Sequence, residues 1–331
     1  MRALLLIISI LTVHTSVNAQ FYGLVIHGGA GTITREGLSA ARQETYHRAL
    51  ENALSAGYKI LDEGGSAEDA VVATIKIMED DSNFNCGKGS VLNAEGMVEM
   101  DASIMTGHDL DAGAVAGVRS VKHPIEAAKL VKDESPHVLM SNAGADQFAK
   151  EHGLEIEPTS YFLTKRSQET LRSVQERAKE QGSIDQEFPD WKFGTVGAVA
   201  LDQAGNLAGG TSTGGMTNKM FNRIGDSPII GAGTYANNAS CAVSCTGHGE
   251  YFIRLNVAHE VSALMIYKGL SVEGASDEMI HDRLSSMGAL GGLIALDKDG
   301  NIAMPFNTPG MFRGYKMSDE RFDILMFPDE N

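Results

Sequence analysis

A hairpin signal near the middle of the chain does most to limit what it can fold into. Thr195 to Leu201 and Leu207 to Thr211 are short apolar runs, and Asp202-Gln203-Ala204-Gly205-Asn206 between them carries turn chemistry. The pattern recurs at Leu293 to Leu296 and Ile302 to Met304, across Asp297 to Asn301. Two more strands are expected within residues 97 to 118, around a His108-Asp109 turn. Leu24 to His27 reads as a buried strand ending in a tight loop, Gly28-Gly29-Ala30-Gly31. Helical periodicity covers Ala40 to Glu63 through Ala49, Ala53, Leu54, Ile60 and Leu61, and Gly64-Gly65 stops it. Ser66, with Asp69 three residues on, caps a second helix. Further helices are expected near 124 to 132, near 144 to 152 and, as one long element, over Glu250 to Lys268. Strands in runs and helices in runs, without βαβ alternation, give an α+β class with antiparallel sheet under helices. Two sheets face to face with helices outside fit that pattern.

Composition bounds the function. With 331 residues, 43% hydrophobic, the chain can bury the core of one large domain or two small ones. The first 19 residues form a unit of their own: a basic start at Met1-Arg2, an apolar run from Leu4 to Val13, and small residues at Val17-Asn18-Ala19. This reads as a secretory signal peptide cut before Gln20. The alternative, an uncleaved anchor, meets a run shorter than the ~20 residues that a span needs. Export implies the periplasm if the host has an outer membrane, and the extracellular space otherwise. A formal charge of −16 disfavours nucleic acid and anionic lipid as partners. The cysteines, Cys86, Cys241 and Cys245, are odd in number and lack zinc-site spacing, so small buried thiols are the plain reading. Residues from about 160 to 194, including the charged run Lys165 to Gln181 and the aperiodic Gly182 to Pro189, read as a linker.

Directly after that linker comes Phe193-Gly194-Thr195-Val196-Gly197-Ala198-Val199-Ala200-Leu201-Asp202. A threonine hydroxyl needs a base to become a nucleophile. Its own α-amine, with a reference pKa of ~7.7–8.0, would serve near neutral pH if the chain were cut just before it. The other reading of Thr195 is a β-branched residue opening a strand after a loop glycine. Arg223 and Asp226 suit a zwitterion, guanidinium to carboxylate and carboxylate to ammonium, or else form a surface ion pair. Thr246-Gly247, before a helix, could hold an oxyanion or simply begin that helix.

Taken together, GTVGAVALD at Gly194, TSTGGMTNK at Thr211, Arg223-x-Gly225-Asp226-Ser227-Pro228 with Gly231-Ala232-Gly233, and SCTGxGE at Ser244 closely resemble the plant-type asparaginase/isoaspartyl peptidase family of N-terminal nucleophile hydrolases. VIHGGAG at 25 to 31, Phe84-Asn85-x-Gly87-x-Gly89 and Met100-Asp101-Ala102-Ser103-Ile104-Met105 agree. The resemblance implies a four-layer αββα sandwich and cleavage of Gly194–Thr195. An alpha subunit (20–194) and a beta subunit (195–331) would assemble as (αβ)2. It implies Thr195 as nucleophile, Thr213 tuning it, Asn85 supporting its geometry, Arg223 and Asp226 holding the substrate, and Thr246 with Gly247 as oxyanion hole. It further implies a structural sodium ion on the backbone carbonyls of Met78, Glu79, Asp81, Phe84, Cys86 and Lys88, and no catalytic cofactor. The substrate would be L-asparagine or a β-aspartyl dipeptide.

Two other functions remain open at this point. A glycosylasparaginase shares the fold and the cleavage, although that group usually places Asp where Gly194 stands. A secreted aspartate-binding protein that never cleaves is the other. Phe221-Asn222 departs from the family pattern, which often has glycine just before the arginine.

Overall fold

The computed structural model describes residues 21–181 and 194–330. The expected signal peptide and Gly182 to Pro189 lie outside them. In chain order the strands are β1 (Gly23–Gly31), β2 (Met100–Thr106), β3 (Ala112–Val118), β4 (Leu139–Ser141), β5 (Thr195–Leu201), β6 (Leu207–Thr213), β7 (Thr234–Ala236), β8 (Cys241–Gly247), β9 (Gly291–Asp297), β10 (Ile302–Ala303), β11 (Gly310–Met317) and β12 (Phe322–Leu325). They form an eight-stranded sheet, β12-β11-β1-β5-β6-β2-β3-β4, and a four-stranded sheet, β10-β9-β8-β7. Among the described residues every strand pairing within these two sheets is antiparallel except β3–β4.

Strand periodicity sorts the core into three interfaces, which is how four layers arise. Along β1, Leu24 and Ile26 point into one cluster and Val25 into another. Along β5, Val196, Ala198 and Ala200 face the first, and Val199 and Leu201 the second. The first cluster lies under α1 (Ala40–Asp62), α2 (Ala67–Asp80) and α3 (Pro124–Glu134). The second lies between the sheets, where Met105, Ala242, Ile294, Leu296 and Met311 join it. A third joins Cys241, Val243 and Cys245 of β8 to Val257, Val261 and Leu264 of the helix Val257–Lys268. Each fully buried aliphatic side chain contributes about 1.5–3 kcal/mol, so the layers are held mainly by apolar area. All three cysteines are buried and free.

Local chemistry explains the elements that matter for the site. Both hairpin turns are closed by an aspartate. Asp202 Oδ1 accepts from Ala204 N and Asn206 N, both at 2.9 Å, and Asp297 Oδ1 repeats this with Asp299 N and Asn301 N. Asp202 Oδ2 also accepts from Ala67 N at 3.2 Å, tying the β5–β6 turn to the start of α2. Ser66 Oγ caps α2 by accepting from Asp69 N at 3.1 Å.

Three elements differ from expectation. The glycines after His27 continue β1 rather than leaving it, because a register shift between His27 and Gly29 absorbs them. The expected long helix over Glu250 to Lys268 breaks into Gly249–Leu255 and Val257–Lys268 at Asn256, whose φ of 51° is left-handed. Lys165–Gln181, expected within the linker, is a helix. It buries Ser167, Leu171 and Val174, and Gln175 Nε2 donates to Ala94 O at 3.1 Å, so its charged residues are the solvated face of a packed element.

Candidate active site

Thr195 begins β5 at the centre of the large sheet, directly across from Thr213 at the end of β6. Its hydroxyl donates to Thr213 Oγ1 at 3.1 Å. Thr213 Oγ1 also accepts from Gly215 N at 3.0 Å and donates to Gly194 O at 3.4 Å. One hydroxyl therefore bridges the candidate nucleophile and the carbonyl of the bond that precedes it. Glycine at 194 is dictated by crowding, since a Cβ there would come within 2.9 Å of Asn85 Cβ. Gly29, with φ of +105°, brings β1 against the same bond, where a Cβ would lie 2.8 Å from Gly194 Cα. Asn85 is held rigidly: Nδ2 donates to Gly215 O at 2.7 Å, Oδ1 accepts from Val91 N at 2.9 Å, and its carbonyl accepts from Gly214 N.

A pocket opens in front of Thr195, lined also by Thr213, Arg223, Asp226, Gly247 and Glu250. Arg223 and Asp226 thus share a cleft with the hydroxyl rather than forming a surface pair. Arg223 presents its Nε and Nη2 edge to Glu250, at 2.8 and 2.9 Å. Burial works against Glu250, but the hydrogen bond and charge of Arg223 outweigh it and lower its pKa. Asp226 is buried, and its Oδ2 has no hydrogen-bond partner among the described residues. Burial pushes its pKa up to about 7, with Arg223 opposing. An unpartnered buried carboxylate oxygen in a cleft is the mark of a group awaiting a cationic donor.

Gly247 lines the pocket, and its φ of +147° with Gly291 Cα pressed against it excludes a side chain. Thr246 lies one residue deeper and fully buried, its hydroxyl accepting from Ala30 N at 3.4 Å. Phe221 and Asn222 both sit at φ 55°, which accounts for glycine as the commoner choice beside the arginine. Phe221 is 95% exposed and is not among the residues that line the pocket.

The loop from Met78 to Lys88 folds tightly on itself. A Cβ on Gly87 would fall 2.3 Å from Glu79 O, and one on Gly89 would fall 2.0 Å from Phe84 O. Met78 O already accepts from Asp81 N and Cys86 Sγ. Asp81 O accepts from Phe84 N and Cys86 O from Gly89 N, so three of the carbonyls named for a cation already carry hydrogen bonds inside the loop.

Sequence reasoning missed a buried chain of hydroxyls behind Thr195. His27 Nε2 lies 3.0 Å from Ser244 Oγ, Ser244 Oγ 2.7 Å from Thr211 Oγ1, and Thr211 Oγ1 bonds Thr234 Oγ1. Thr234 Oγ1 lies 2.8 Å from Ser103 Oγ, which donates to Ser227 O at 2.6 Å. Thr211 Oγ1 also reaches Gly233 O at 3.3 Å, so the chain meets a carbonyl acceptor both at its middle and at its Ser227 end. At the far end, the tautomer of His27 decides whether its Nε2 donates to Ser244 Oγ or accepts from it. Burial drives the His27 pKa down to about 3, partly offset by the Thr195 backbone, so the imidazole stays neutral. Lys219 is another missed residue; buried, it donates to Glu99 O at 2.7 Å and closes the floor of the Gly215 turn.

Comparison with known proteins agrees with this geometry. A family model described as asparaginase matches residues 20–326. The isoaspartyl peptidase of Salmonella typhimurium is 47% identical over 296 residues, covering 88% of this chain and 94% of that protein. The isoaspartyl peptidase/L-asparaginase of Homo sapiens is 44% identical over 289 residues, covering 87% and 91%. A probable isoaspartyl peptidase/L-asparaginase of Arabidopsis thaliana is 41% identical over 330 residues, covering 92% and 99%.

Proposed function

The chain belongs to the asparaginase family of hydrolases, and we propose that it cleaves itself at Gly194–Thr195 and then releases L-aspartate from L-asparagine and β-aspartyl dipeptides. The observation that carries this reading is the Thr195 hydroxyl, bonded to Thr213, at the head of a pocket that also holds Arg223 and the unpartnered Asp226. In the first event Thr195 Oγ attacks the Gly194 carbonyl, which Thr213 polarises; the peptide C–N bond breaks and an ester forms. The hydroxyl proton passes to the departing nitrogen, which becomes the free Thr195 amine, and water then hydrolyses the ester and releases the Thr195 hydroxyl. That amine then takes the proton of its own hydroxyl, which attacks the substrate side-chain carbonyl. The leaving amine departs with a proton, and water resolves the β-aspartyl enzyme.

The charges divide the work. Arg223 receives the substrate α-carboxylate on its remaining N–H donors, and Asp226 receives the α-ammonium. The backbone at Thr246 and Gly247 faces the developing oxyanion. A sodium ion on the Met78–Lys88 carbonyls would stiffen the loop that carries Asn85. Two αβ units would pair as (αβ)2, and export would leave Gln20 as the mature terminus; sizing in solution and terminal sequencing test those points.

The test of cleavage is incubation of the purified chain, a denaturing gel, and sequencing of the smaller fragment. A terminus reading Thr-Val-Gly-Ala is expected. Thr195→Ala should stay whole and lose turnover by roughly 10⁴-fold or more. A wild-type chain that stays whole and inactive yet binds aspartate would replace the hydrolase with a binding protein.

A further inference from the structure

A second cavity adjoins the catalytic pocket at Gly194, Gly215 and Met216, which line both. It is the roomier of the two, about 150 Å³ against about 20 Å³. Since ~10–15 Å³ admits one water, it has room for the body of an amino-acid residue. Its apolar wall includes Ile33, Leu38 and Phe312, and its ionisable side chains include Arg42, Arg166 and Arg177. No aspartate or glutamate lines it among the described residues. Arg42 donates to Tyr46 Oη at 3.2 Å and Arg166 to Asn83 O at 3.1 Å, both neutral acceptors. Neither arginine is paired with a carboxylate among the described residues, so each keeps its charge for a ligand.

The substrates of the proposed reaction differ in what they place on this side. With the aspartyl half on Arg223 and Asp226 and the scissile carbonyl at Thr195, a β-aspartyl dipeptide projects a whole residue past the nucleophile. That residue ends in a second carboxylate. L-Asparagine projects only an NH2, and a glycosylated asparagine projects a neutral sugar. We propose that this cavity is the subsite for the departing residue, and that its arginine rim selects β-aspartyl dipeptides with a free terminal carboxylate and an apolar side chain. The proposal rests on the hydrolase reading and specifies which of its substrates is preferred. In the acylation step the C–N bond breaks, and the amine of the seated residue takes the proton and leaves.

The experiment uses the mature, self-cleaved enzyme with β-aspartyl-leucine, the same dipeptide with its terminus amidated, L-asparagine, and N-acetylglucosaminyl-asparagine. The free dipeptide should show a KM about fivefold or more below its amide, as expected for an exposed ion pair near 1 kcal/mol, and the gap should shrink in high salt. Arg42→Gln and Arg166→Gln should each raise KM for the free dipeptide more than for the amide. Equal KM values for acid and amide in the wild type would overturn the proposal. So would variants that shift all substrates alike, or a preference for the glycosylated substrate. Turnover of L-asparagine in those cases would show that the hydrolase reading itself survives; no turnover of any substrate would remove both.

Discussion

The two sides of Thr195 are built on opposite principles. Behind it, His27, Ser244, Thr211, Thr234 and Ser103 are neutral, almost wholly buried and linked in one chain to the Gly233 and Ser227 carbonyls. In front of it, Arg223, Glu250 and Asp226 are charged, and one of the three has an oxygen without a partner. A satisfied neutral network holds backbone still at modest electrostatic cost. A charge left unsatisfied in a cleft is expensive until a ligand arrives, which makes it a recognition device. Alteration of the mouth should therefore act on binding, and alteration of the interior should act on stability.

The largest expected effect is at the mouth. Arg223→Ala should cost about 2–5 kcal/mol of transition-state binding, roughly 30- to several-thousand-fold in kcat/KM, and leave Glu250 without its fork. Arg223→Lys should recover little of that, because a point ammonium cannot hold two carboxylates on separate edges. Initial rates across substrate concentrations decide it. A loss under fivefold for the alanine variant would show that the pocket does not read the α-carboxylate through this residue.

Asp226 gives the next effect, through pH. Only its carboxylate form can take an ammonium, and the Thr195 amine (~7.7–8.0) must also be free, so the slope of kcat/KM should steepen from about one towards two as pH drops below about 7. The same raised pKa makes the opposite demand on stability. The contribution of a carboxyl with a raised folded pKa is full below the ordinary 3.8 and is lost as pH rises through about 7. Asp226→Asn should thus bind substrate poorly at pH 8 and yet unfold no more easily than the wild type there. An asparagine variant that is both inactive and clearly less stable at pH 8 would merge the two sides that the comparison separates.

What was legible in the sequence follows the same division. Thr195, Thr213, Arg223, Asp226 and Gly247 stand in contiguous motifs, and the structure brings all five to one pocket. The strands were legible because period-two burial along β1, β5 and β8 leaves a direct pattern. The hydroxyl chain was not, because its members come from β1, β2, β6, β7 and β8 and meet only where the two sheets face each other. Glu250 stood in a motif, but its hold on Arg223 spans a loop, a strand pair and a helix start. The helix Lys165–Gln181 was misread for a simpler reason: a sparse buried stripe, Ser167, Leu171 and Val174, is swamped by charge.

The smallest effect belongs to the interior and is the sharpest probe of it. His27 is held neutral by burial, with its pKa near 3 against an ordinary 6.5. Below pH 6.5 the unfolded chain takes up a proton at this residue that the folded chain refuses. Its share of stability is therefore full above 6.5 and is lost as pH falls towards 3, at no more than about 1.4 kcal/mol per pH unit. In a Thr195→Ala background, where the chain stays single, His27→Gln should keep a donor for Ser244 and remove the titration. Urea unfolding at pH 7.5, 6 and 5 should then show a shallower loss of stability for the double variant than for Thr195→Ala alone. Equal slopes would mean that His27 is protonated in the folded chain.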